Sequence, residues 1–85
     1  MAEQEVGVVT HYFGKISVAG IEISAGQLKV GDTIHIRGHT SDFTQTVDSM
    51  QVDNQSVEVA TPGQLIGIKV VEHAREHDKV FRVEQ

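Results

Sequence analysis

His73-Ala74-Arg75-Glu76-His77 spells H-x-x-E-H, the inverted form of a zinc-peptidase signature. That chemistry needs both imidazoles on one face of a helix, a third protein ligand from a distant element and an open coordination position for water. Here the pentapeptide falls between two short strands, with too little chain around it to build a peptidase. The sequence therefore predicts an accidental match with no metal site. The other candidates are weaker. His11 and His35 stand on strands among hydrophilic neighbours, and no serine occupies a Gly-x-Ser-x-Gly elbow. The carboxylates are scattered; Asp32 and Asp48 lie beside turns, where a carboxylate caps main-chain N–H groups. No Gly-x-x-x-x-Gly-Lys-Ser/Thr loop is present to cradle a nucleotide phosphate. The expectation is a chain that is not an enzyme, takes no cofactor and binds no nucleotide.

Binding chemistry is easier to find. Tyr12-Phe13-Gly14-Lys15 sets two rings and a cation at a hairpin tip. One reading is a stacking platform for RNA bases, with Lys15 beside it. The other is that one ring caps the core, because alternation sends Tyr12 and Phe13 to opposite faces of a strand. Charge argues against a nucleic-acid binder working by electrostatics alone. The chain has 7 Lys and Arg against 12 Asp and Glu, a net charge of −5. Its cations gather late, at Lys69, Arg75, Lys79 and Arg82, beside His73 and His77. Any anion-binding surface would include that segment.

Short strands must position these residues. Eighty-five residues make one domain over residues 1–85, with no cysteine to staple it. Residues 1–4 are expected to be disordered. Met1-Ala2-Glu3-Gln4-Glu5 has neither the basic nor the apolar region of a signal peptide, and no apolar run could span a membrane. A cytoplasmic protein is expected, and a monomer. Turn signals recur along a chain rich in β-branched residues, and no stretch keeps helical periodicity beyond one turn near Ala74–Asp78. A first strand from Glu5 to Phe13 turns at Gly14-Lys15 as a type II′ hairpin. Ile16 and Val18 then share a face, after which Ile21 and Ile23 change phase, so a bulge is predicted at Ala19-Gly20. A second phase slip is predicted around Asp48-Ser49. Gly31-Asp32 opens a strand with Ile34 and Ile36 inward; Asp53-Asn54 makes a hairpin turn; Pro62-Gly63 makes another. Ile66, Ile68 and Val70 point inward, and the last strand runs from Val80 to Val83. These features describe an all-β fold, a small closed antiparallel barrel of six or seven strands.

Gln27-Leu28-Lys29-Val30-Gly31-Asp32-Thr33-Ile34-His35-Ile36-Arg37-Gly38, then Val47-Asp48-Ser49-Met50, then Pro62-Gly63-Gln64-Leu65-Ile66-Gly67-Ile68 come in an order that resembles domain 2 of translation elongation factor Tu. The resemblance runs from about Val6 to Val83 and implies a translation-protein barrel standing free of a GTPase domain. It implies a non-catalytic surface that contacts RNA or the ribosome. By position, the family's acceptor-end site carries over to Arg37, Gly38, His39, Arg75 and Glu76. Similar barrels also resemble the C-terminal appendage of collagenase-like peptidase-family proteins, some of which modify RNA. That likeness implies the alternative, a protein-interaction accessory barrel.

Overall fold

The computed structural model describes residues 2–84. They form ten strands and no helix: β1 (Ala2–Phe13), β2 (Val18–Ile23), β3 (Leu28–Lys29), β4 (Thr33–Arg37), β5 (Asp42–Thr46), β6 (Met50–Val52), β7 (Gln55–Val57), β8 (Val59–Ala60), β9 (Leu65–Lys69) and β10 (Lys79–Glu84). Eight pair antiparallel in the order β5-β4-β10-β1-β2-β9-β6-β7, and β3 pairs with β8.

One core explains the curl of this sheet. Ile34 and Ile36 on β4, Ile66 and Ile68 on β9 and Ala19, Ile21 and Ile23 on β2 alternate inward, as strand periodicity requires. Phe43 of β5 and Met50 of β6, near opposite ends of the strand order, enter the same cluster. The sheet therefore bends back on itself around that cluster. The expected closed barrel of six or seven strands is not continuous in its main-chain ladder, which ends at β5 and β7. A side chain crosses the seam. Gln45 Nε2 donates to Lys69 O at 2.9 Å, and Gln45 Oε1 accepts from Val71 N at 2.8 Å. An edge amide thus supplies what another strand pair would have supplied.

The bulges lie on a different strand from the one the sequence suggested. Ile16 is exposed in the Gly14–Ser17 loop and never joins a strand face. Without it, Ala19, Ile21 and Ile23 alternate without interruption, and the apparent slip on β2 vanishes. The loop holds four residues between the last pair, Phe13 and Val18, with Ser17 at φ 56°, in place of a two-residue turn. Both shifts of register fall on β1, one at Val6 against β10 and one at Thr10 against β2. Each inserts one residue and flips the strand's phase. Val6, Val9 and half-buried Tyr12 can then all face the core. The slip expected near Asp48-Ser49 is a gap between β5 and β6. Ala2 to Gln4, expected to be disordered, pair with Glu84, Val83 and Arg82. The segment Ala74–Asp78 is a turn rather than helical.

Local chemistry accounts for two tight turns. Asp53 and Asn54 both take positive φ, 52° and 64°, the pattern of a type I′ hairpin. Pro62 and Gly63 (φ 92°) make a type II turn closed by Gln64 N donating to Thr61 O at 3.2 Å.

Candidate binding site at the loop end

β4 ends at Arg37 and β10 begins at Lys79, which pair directly. The loops leaving these ends, 38–41 and 71–78, must therefore meet. Asp78 joins them. Its side chain is buried, and its Oδ2 accepts from Arg75 N at 2.9 Å, while Asp78 N donates to Arg75 O at 3.1 Å. The other oxygen, Oδ1, lies where a side chain on residue 38 would start: a Cβ on Gly38 would sit 1.8 Å from it. Glycine is the residue this contact permits. Gly38 N donates to Ser41 O at 2.7 Å, and buried Ser41 reaches His73 O through Oγ at 3.5 Å. Ala74 is fully buried and plugs the core below. The loop is also clipped to β1, with Val9 N donating to Asp78 O and His77 N to Val9 O, both at 2.8 Å.

This framework joins the loop that starts at Gly38 and His39 to the loop that carries Arg75 and Glu76, and Tyr12 meets the second loop at His73. Tyr12 lies on His73, ring centroids 4.2 Å apart at 31°, and packs against the core. Phe13 points the other way, 47% exposed, against His11 at 4.5 Å. The opposition of the two rings is therefore real, and Tyr12 is the one that packs. Arg37 Cζ stands 4.9 Å from the Phe81 ring centroid, a cation–π contact that spreads the guanidinium along the sheet. Lys15 is exposed in the hairpin loop, and among the described residues no hydrogen bond or ion pair ties it to the other two loops.

Sequence reasoning missed Asp78, Ser41 and Ala74, which hold the site together. The one available signal was the three-residue spacing from Arg75 to Asp78, the reach of a side chain closing a turn. Asp32 does act this way, accepting from Lys29 N at 2.9 Å, whereas Asp48 is exposed.

The H-x-x-E-H segment does not present two imidazoles on a helix face. His73 stacks on Tyr12, Ala74 turns inward and His77 sits at φ 74°. Among the described residues no group of three His, Cys, Asp or Glu could hold a metal ion. The remaining His–carboxylate constellation is on the outer face of β4. His35 Nδ1 pairs with Glu3 Oε2 at 2.8 Å and Nε2 pairs with Asp42 Oδ1. The Asp42 hydrogen bond, against an opposing cost of burial and with help from Glu3, raises the imidazole above its ordinary value. With both ring nitrogens held by carboxylates, none is left to take a substrate proton. The loop end thus combines a hydrogen-bonded frame with the Tyr12–His73 ring contact.

The comparisons with other proteins agree on the fold. An 82-residue alignment with an uncharacterized protease of Methanocaldococcus jannaschii is 39% identical, covering 95% of this chain and 20% of that protein. A Porphyromonas gingivalis collagenase is 41% identical over 81 residues, 94% of this chain and 22% of its own. The chain thus spans about a fifth of the length of the curated relatives it matches. The C-terminal domain of a Geobacillus thermoleovorans protein assigned to the U32 peptidases superposes with a TM-score of 0.88 at 18% identity, covering 95% of this chain and 93% of that one. Its selenomethionine variant gives 0.85 at 19% identity, with coverages of 91% and 96%. At those identities the superposition speaks for the fold alone, and among the described residues no helix is long and apolar enough to cross a membrane. The sequence profile of elongation factor Tu domain 2 fits residues 17–79, from the first hairpin loop to the start of β10, and the chain belongs to that family.

Proposed function

We propose that this chain is a non-catalytic accessory module that docks on a collagenase-like, peptidase-type polypeptide. One observation carries the reading: proteins named protease and collagenase contain the matching segment as about a fifth of their length. The frame at the loop end fits this role, since Asp78 and Ser41 are used to rigidify two loops rather than to move a proton. The reading takes the module as cytoplasmic, with which a chain without cysteine is compatible. The test is a pull-down from lysate with and without RNase. An RNase-resistant peptidase-class partner is expected; capture of RNA-dependent material only would reject the reading.

A second reading has an observation of its own. The Tyr12–His73 ring contact and the Arg37–Phe81 cation–π contact are groups of the kind that hold single-stranded RNA by stacking. With two or three phosphates contacted, the salt slope should be shallow, roughly −1.4 to −2.1. Amide shifts confined to residues 37–43 and 72–79 on titration with tRNA, abolished by Arg37→Ala with Arg75→Ala, would support it. No shifts at millimolar RNA would exclude it.

A further inference from the structure

A trough runs over the outer face of β2 and β9. Its floor is the cross-strand pair Gly20 and Gly67, and Phe13, Ile16, Val18 and Leu65 help to line a cavity of about 440 Å³. Gly20 is buried opposite the β1 bulge, where Thr10 Oγ1 donates to its carbonyl at 3.2 Å, whereas Gly67 has no such structural reason. At Gly7 an added Cβ would lie 2.5 Å from Glu22 O, and at Gly38 1.8 Å from Asp78 Oδ1. Gly26, Gly31 and Gly63 have positive φ. Gly20 and Gly67 have ordinary strand backbone, and an added Cβ would meet nothing closer than 3.4 Å, an ordinary contact. Glycine inside a strand weakens it and marks either a bulge, as opposite Gly20, or a place where something approaches the backbone closely, the use left for Gly67. Two of them face to face remove the side chains that would fill this surface.

We propose that the trough is the docking face for a polypeptide, and that the occupant is an apolar segment of the collagenase-like, peptidase-type body. The inference rests on the accessory reading above and locates its contact. Phe13, Ile16 and Leu65 remain 47%, 60% and 59% exposed, an apolar grouping of the kind that marks interaction surfaces. A small ligand on the glycine floor would leave these walls wet, whereas a protein surface covers them. The lining includes Asp53 and no Lys or Arg, so a nucleic-acid backbone would find countercharge only at its margin, at Lys15 in the hairpin loop and Lys69 opposite Val18. In the relatives the matching segment makes up 20% and 22% of the chain, so the bulk of the polypeptide lies outside it and is available to seat against such a face.

The test places a photo-reactive benzophenone amino acid at position 65 of the full chain and irradiates it in an RNase-treated lysate of the cells that make it. A probe at position 59 is the control, because Val59 is exposed but does not line the trough. The expected result is an adduct with a collagenase-like peptidase-class polypeptide from position 65 and not from 59. Gly67→Thr should cut its yield at least ten-fold without lowering the melting temperature. Phe13→Ser, at an exposed wall, gives a second variant with the same expected loss should Gly67→Thr not fold. Equal yields from both positions, a yield unchanged in both variants, or an adduct with a second copy of this chain would overturn the proposal. A peptidase-class partner captured through position 39 and not through 65 would remove the trough and keep the accessory reading. No such partner from any position would remove both.

Discussion

At the loop end, Gly38 has the Asp78 carboxylate where its side chain would be, Oδ1 lying 1.8 Å from an added Cβ. In the trough, Gly67 has Val18 Cγ1 at 3.4 Å as the nearest atom to such a Cβ. Packing dictates the first glycine: a buried acid occupies the space and caps the turn that carries Arg75 and Glu76. The second lies in a regular strand whose neighbours would accept a side chain, and its presence points outward. The same residue type thus marks internal constraint in one region and an open surface in the other. Substitution separates the two uses because it moves stability in opposite directions.

The largest effect is expected where both regions share support. Ile36 is fully buried on β4, two residues before Gly38, and belongs to the core that also holds Ile66 and Ile68 beneath the trough. Ile36→Ala should cost ~2–5 kcal/mol in chemical denaturation. Probes at the loop end and in the trough should report one transition; two separate transitions would show that the regions do not share a core. Gly38→Ala comes next. The new methyl group must push Asp78 off the Arg75 N–H, at about 1–3 kcal/mol for an overpacked site. A variant as stable as the parent would mean that the two loops are not fastened there. Gly67→Ala should have the opposite sign, a gain of ~0.5–1 kcal/mol from removing a mid-strand glycine. Destabilisation comparable to that of Gly38→Ala would erase the distinction between the two glycines.

The smallest effect concerns pH. His35, bonded to Asp42 and Glu3, is raised above its ordinary value of 6.5, so the folded state holds its proton more tightly than the unfolded chain does. The stability this contributes is fully present below the unfolded value and is lost as pH rises through the folded one. Melting temperature should therefore decline over that window in the parent and be flatter in His35→Gln. The trough, whose lining contains no histidine, should bind its partner with no matching dependence on His35.

Much of this molecule follows from local chemistry. Ile34 and Ile36, or Ile66, Ile68 and Val70, face the core because alternate strand side chains share a face, and Asp53-Asn54 and Pro62-Gly63 turn because those residues accept the required φ values. The sequence by itself determined an all-β chain, most of its turns and the inward faces of its regular strands. It also suggested which two loops carry Arg37 and Arg75. Only the tertiary structure decided that both bulges fall on β1, that Gln45 bridges the seam, that Asp78 lies against Gly38, and that Gly20 faces Gly67 across a strand pair. The physical reason is range. Alternation and turn preference act over a few residues, whereas each of these contacts depends on the register of strands distant in sequence, and one residue's slip in that register exchanges the buried face for the exposed one.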